Sequence, residues 1–214
     1  MMSHIVGATP IVNYQQWRFF APFSFQYNDQ ASDKYYTAFD LRPTALYMVT
    51  PNIGIEGGLI LTRNYYWSPV NYAPDNRNGR HIGGSAGAYY FFNNIDGYLQ
   101  ARFSYGYDST AGDNWDGSAY RWLIAGQMPI YENLKLNSYV LFSWTPYDHR
   151  WTNGTADTYP KRDDFNFQFR VDLTYQIYKG FEANFHYYYE NNSSNIKLYW
   201  YDKSMLGCFL GYKY

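Results

Sequence analysis

The sequence has a single cysteine, Cys208, so no disulfide within the chain can hold it together. It has no stretch of 18 or more apolar residues, which excludes a transmembrane helix. Neither sign of charge dominates: 17 Lys and Arg stand against 18 Asp and Glu, and no basic field marks a nucleic-acid partner. Glycine-rich phosphate loops and Cys/His ligand spacings are missing too, so no cofactor or metal is expected. The opening MMSHIVGATP lacks the basic segment and apolar core of a signal peptide. Set beside the exported character of the remaining residues, it reads as the start of a mature or excerpted chain.

Rings are abundant instead. The 27 Tyr, 15 Phe and 7 Trp make up 23% of the residues, more than a soluble core readily holds. Membrane β-barrels place such rings in an outer apolar band and in girdles at both interfaces. In FNFQFRVDLTY, residues 165–175, Phe165, Phe167, Phe169, Val171, Leu173 and Tyr175 share one parity, with Arg170 and Asp172 on the other. Period 2 means a strand with one apolar and one polar face.

The same alternation predicts ten strands, at about 14–27, 34–49, 54–67, 80–92, 97–107, 117–130, 134–147, 164–177, 181–190 and 196–214. Most exceed the ~5–6 residues usual in globular sheets and suit the ~9–11 that a tilted strand needs to cross a bilayer. Tight connections (TPNIG, NNIDG, YEN, YKG) alternate with longer ones, such as SPVNYAPDNRNGR and DHRWTNGTADTYPKRDD. Outer-membrane barrels sort loops this way, short on the periplasmic side and long outside. Ring-rich faces recur: Trp17, Phe19, Phe23 and Phe25 oppose Arg18, Ser24 and Gln26, and Leu99, Ala101 and Phe103 oppose Gln100 and Arg102. In a soluble sandwich the rings would form the core. In a membrane barrel they face lipid, and Arg170 and Asp172 look in. Pro22, Pro43, Pro129 and Pro146 fall inside these strands and call for bulges or ends of pairing. In GGSAGA both faces are small, so neighbouring side chains are expected to lean over it.

The end of the chain carries a resemblance. Leu206, Cys208, Leu210, Tyr212 and Tyr214 alternate up to the terminus, and the last hairpin reads YYYENNSSNIKLYWYDKSMLGCFLGYKY. The alternation resembles the C-terminal assembly signal of bacterial outer-membrane proteins, with Tyr where Phe is more usual. The hairpin resembles that of barrels attached to periplasmic tetratricopeptide segments, a likeness that covers about the last quarter of the chain. It implies a role in exporting exopolysaccharide or another surface polymer.

Parity assigns a polar lumen. Arg18, Arg42, Arg102, Arg121, Lys135, Arg170, Lys203 and Lys213 are its bases. Asp40, Glu56, Asp172 and Glu182 are acids there, with His186 beside them. Two readings stay open. Paired charges could stiffen a narrow, self-filled barrel, or a modestly basic track could pass anions, since Arg matches carboxylates with two parallel bonds. Enzyme signals are thin. Asp148 and His149 sit at the outer end of one strand, but adjacent residues point to opposite faces.

The expectation is therefore all-β: an antiparallel up-and-down transmembrane barrel of about ten strands, eight and twelve being the alternative counts. It spans residues 14–214, with 1–13 as an N-terminal periplasmic arm, in a bacterial outer membrane. The partners expected are outer-membrane lipid and lipopolysaccharide, the barrel assembly machinery and a periplasmic export partner. The first function is a narrow conduit for a polymer or small anions. The alternative is a self-filled structural or interaction barrel that anchors a partner and displays loops. A rim-site hydrolase comes third.

Overall fold

The computed structural model describes residues 2–30, 33–67, 73–92, 96–152, 158–178 and 180–212. Among them there is no α-helix, only three single 3-10 turns at Ala73–Asp75, Asp113–Trp115 and Lys197–Tyr199. The rest is one antiparallel sheet of 14 strands. The first six are short: β1 Met2–Ala8, β2 Ile11–Tyr14, β3 Trp17–Phe20, β4 Phe23–Gln30, β5 Asp33–Leu41 and β6 Thr44–Met48. The next four are β7 Ile53–Tyr66, β8 Gly79–Phe92, β9 Gly97–Thr110 and β10 Gly117–Tyr131. The last four are β11 Leu134–Thr152, β12 Thr158–Tyr178, β13 Phe181–Ser194 and β14 Tyr201–Tyr212.

Alternation alone gives ten strands, and the sheet corrects that count for two reasons. The stretch 1–13, expected as an arm, holds β1 and nearly all of β2, which pair with β4 and β3. Three ribbons are also cut by proline: Pro10 separates β1 from β2, Pro22 separates β3 from β4, and Pro43 separates β5 from β6. Proline has no N–H to give the ladder. The register nevertheless runs through each cut, and the proline carbonyls still accept from Ala21 N (3.2 Å), Arg42 N (2.9 Å) and Leu59 N (2.9 Å). Pro129 and Pro146 sit beside irregularities in register, as a bulge requires.

The turns are locally specified. Tyr14 pairs with Trp17 across a two-residue turn in which Gln15 takes φ 52°. In YKG, Gly180 takes φ 89°, a conformation that disfavours a β-carbon. The expected strand over 196–214 begins instead with a 3-10 turn. The NNIDG turn falls partly outside the described residues, as does the middle of the loop before residue 158.

The sheet is rolled. One cavity of about 570 Å³ is reached from Phe20 on β3, Arg102 on β9, Tyr139 on β11 and Gln168 on β12. Eight neighbouring ribbons at ~4.8 Å spacing would spread over roughly 30 Å if flat, far too wide to share it. Bulk apolar side chains lie on the convex face: Trp122 is 59% exposed, Ile124 58% and Leu59 56%. Polar ones lie on the concave face, where Glu56, His81 and Gln100 are buried. The free edges are β1 with β2 on one side and β14 on the other, with no pairing between them among the described residues.

Candidate functional site: the polar concave face and its mouth

Three ion-pair clusters organise the concave face. In the first, Glu56 on β7 accepts from Arg102 on β9 through both Nε and Nη2, and also from Tyr89 Oη (3.0 Å) and Gln100 Nε2 (3.1 Å). Its side chain is fully enclosed. β8 lies between these two strands, and it is crossed at Gly87, which pairs with both Glu56 and Arg102. A β-carbon there would stand 2.8 Å from Glu56 Oε1 and 2.9 Å from Ala101 O. This is the leaning-over that GGSAGA suggests. Gly87→Ala is expected to force the pair apart and to destabilise the fold by about 1–3 kcal/mol, read as a lower urea midpoint.

In the second cluster, Asp40 accepts from Arg42 Nε (2.7 Å) and Thr62 Oγ1 (2.6 Å). Along the same cross-strand row, His81 Nδ1 stands 2.9 Å from Asp108 Oδ1. In the third, Asp172 lies between Arg170 Nε (2.7 Å) and His186 Nδ1 (2.5 Å). Each acid thus faces a base two residues away or one or two strands over.

Arg121 stands apart. It pairs across the sheet with Ser104 and Ser143, small residues that leave its side chain room. Its charged neighbours are Asp108 and Arg42, with no carboxylate at ion-pair distance among the described residues. With Arg42 and Arg102 it lines the 570 Å³ cavity, and with Asp40, Asp108 and His81 it lines a second of about 320 Å³. Of the other expected residues, Lys203 lies on β14, Lys213 falls outside the described residues, and three lie at the short-turn end. Arg18 Nε donates to Asn13 Oδ1 (2.9 Å), Lys135 Nζ to Asp96 Oδ1 (3.2 Å), and Asn184 Nδ2 to Glu182 Oε1 (3.4 Å). The site residues thus fall into separate groups, and only Arg42, Arg102 and Arg121 share the large cavity.

The long-loop end is covered, which the sequence did not suggest. Arg162, 6% exposed, is clamped by Asp164 and has its guanidinium carbon 3.4 Å from the centre of the Tyr199 ring and 4.3 Å from that of Tyr147. It also lies against Trp115, which Arg77 covers at 3.8 Å. Asn114, 2% exposed, donates to Asp75 Oδ1 and Thr152 O, both at 2.8 Å. Side chains from three long connections and the ends of β11 and β12 therefore meet in a lid. Burial raises the Tyr199 phenol above its ordinary pKa, against a lowering by Arg162, so Tyr199 stays neutral in the lid. Arg162 falls in a stretch whose composition is that of a solvated loop. Its one signal is Arg162-x-Asp164, the i,i+2 pattern shared by Asp40/Arg42 and Arg170/Asp172.

Asp148 and His149 do diverge. Asp148 accepts from Tyr107 Oη (2.8 Å), while His149 joins Asp113 and Asp116, their ligand atoms all within 4.8 Å of one another. Asp116 is already bonded to Thr110 N (2.5 Å) and Oγ1 (2.9 Å), and the group is exposed enough to be ordinary solvated rim.

No known family matches the chain, and no curated protein does.

Proposed function

We propose that the chain is a bacterial outer-membrane β-barrel whose lumen is a narrow, arginine-lined conduit for anions, capped by its long loops. One observation carries this: the faces are inverted relative to a soluble protein. Exposed Trp122, Ile124 and Leu59 against buried Glu56 and Gln100 leave a continuous apolar outer surface that needs a covering. Lipid supplies one. The ends of that surface are rich in rings, with Tyr131 and Tyr178 toward the short turns and Trp67 and Trp200 toward the long loops. Two such belts are what the interfaces of a bilayer favour.

Closure is constrained by the strand path. Its eleven members alternate in direction, so β1 and β14 run the same way. A ten-stranded antiparallel barrel closes instead between ribbon 17–30 and β14, with ribbon 2–14 released from that edge. A chain lacking residues 1–14 is expected to fold still into a compact form that runs differently on gels before and after heating. A truncated chain that stays unfolded would contradict ten-stranded closure.

The anion preference rests on Arg121, which has no counter-ion at ion-pair distance among the described residues, whereas its cavity neighbours Arg42 and Arg102 are paired with Asp40 and Glu56. Their cavity is of small-molecule size, so small anions fit better than a wide polymer; polymer export is supported only by the likeness of the last hairpin. Conductance in a planar bilayer tests the reading. Small anion-selective steps are expected, and Arg121→Glu should shift the preference toward cations. A folded barrel with no steps in the wild type and in an uncapped variant would favour the self-filled structural barrel, to which the three paired clusters also lend themselves.

A further inference from the structure

We propose that the outer surface carries a specific site for a phosphorylated lipid of the long-loop leaflet; this rests on the lipid-facing reading above. Two cavities, of about 520 and 600 Å³, open along the convex face and share Ala21, which stays in the wall on ten-stranded closure, and Pro10, which lines them while ribbon 2–14 holds its edge. They form one groove because the outward residues there are small. Pro10, Ala21 and Pro43 lie side by side, and Ala45 pairs with Gly57, where a β-carbon would meet nothing nearer than 4.0 Å. Larger side chains, Phe23, Leu41 and Leu61 among them, wall it. Pro10 and Pro43 therefore do more than interrupt pairing: with Ala21 between them they lower the outer surface, whereas Pro22 lines the concave cavity.

The groove ends at two arginines. Arg63 and Arg80 are directly opposed on β7 and β8, both exposed on the apolar face, and both line the upper cavity. Like charges placed so repel, and no acid lies at ion-pair distance of either among the described residues. Arg63 lies 5.1 Å from the ring of Tyr65, at the level of the long-loop ring belt, where an outward Arg costs only about 0–1 kcal/mol. Two adjacent planar forks suit a phosphate, which both can grip. From Arg63 to Gly57 the groove runs six residues, or about 20 Å at ~3.4 Å per residue, which a ~45° tilt turns into roughly 14 Å of depth. That is close to one leaflet's half of the ~30 Å hydrocarbon core. An acyl chain fits below and its phosphate above, which a free phosphate would not need.

Native mass spectrometry of the refolded full chain tests this, with diphosphoryl lipid A, its dephosphorylated form and phosphatidylcholine as probes. The wild type is expected to retain one diphosphoryl lipid A. Arg63→Gln/Arg80→Gln and removal of the phosphates should each weaken retention about tenfold. Gly57→Phe, which fills the groove without touching the arginines, should weaken it as well. Equal retention of all probes by all variants would mean a nonspecific lipid annulus and overturn the proposal, as would loss with the arginine variant but full retention by Gly57→Phe. A wild-type chain that never inserts into vesicles would overturn the membrane reading itself, a separate outcome visible before any lipid A is added.

Discussion

Arg102→Ala is expected to destabilise the protein by about 3–5 kcal/mol, because it strands a carboxylate with no access to water. Glu56 is the enclosed partner, with 0% of its side chain exposed, while Arg102 keeps 32%. The asymmetry makes a second, sharper expectation. Glu56→Ala leaves a guanidinium that can still be hydrated and still has Tyr89 Oη at 3.2 Å, so it should cost less than Arg102→Ala. The double variant Glu56→Leu/Arg102→Leu should recover part of the loss, since no charge is then buried. Urea unfolding of vesicle-inserted protein, followed by tryptophan emission, gives all three values. An Arg102→Ala protein as stable as the wild type would mean that the pair is hydrated and the concave face open to bulk water at that level.

Arg162→Ala is expected to have the largest effect on function. The lid is built around this side chain, which holds Asp164 and stacks against Tyr199, Tyr147 and Trp115. Each cation–π contact in a desolvated place is worth about 2 kcal/mol or more, and Asp164 would be left buried beside them. Removing Arg162 should release the loops while leaving the lumen pairs intact. Bilayer recordings should then show larger and longer open steps, with anion preference retained because Arg121 is untouched. Unchanged steps would place the constriction below the lid, among the lumen pairs themselves.

Much of this is legible in the residues because a strand's side-chain period is 2 and one face must be apolar. The faces of 97–107 and 164–177 come from parity alone, and Asp40/Arg42 and Arg170/Asp172 come with them, since i,i+2 neighbours share a face. The N-terminal ribbon is not legible. Ile5 and Val6 are adjacent and so are Ile11 and Val12, so no period 2 stands out, and Pro10 interrupts what there is. The Glu56–Arg102 pair cannot be read either. It joins residues 46 apart, and only the registers of β7 and β9 on β8 bring them to one level. The lid is invisible for a different reason: Asn114, Trp115 and Arg162 lie in polar connections, and nothing local separates a loop that packs from one that is solvated.

The central claim is that rings face lipid and mid-strand charges face the lumen, Arg63 and Arg80 lying at the outer belt, and spin labels along β10 test it most directly. In a Cys208→Ser background, single cysteines at 121 to 125 would carry a nitroxide in vesicle-inserted protein. Oxygen, which concentrates in lipid, should relax the labels at 122 and 124, and a water-soluble nickel chelate should not. At 121, 123 and 125 the oxygen effect should fall, giving a period of 2 along the strand. Labels at 122 and 124 that are screened from oxygen while 121 and 123 meet bulk chelate would contradict the account and make the ring-bearing face a protein-covered core.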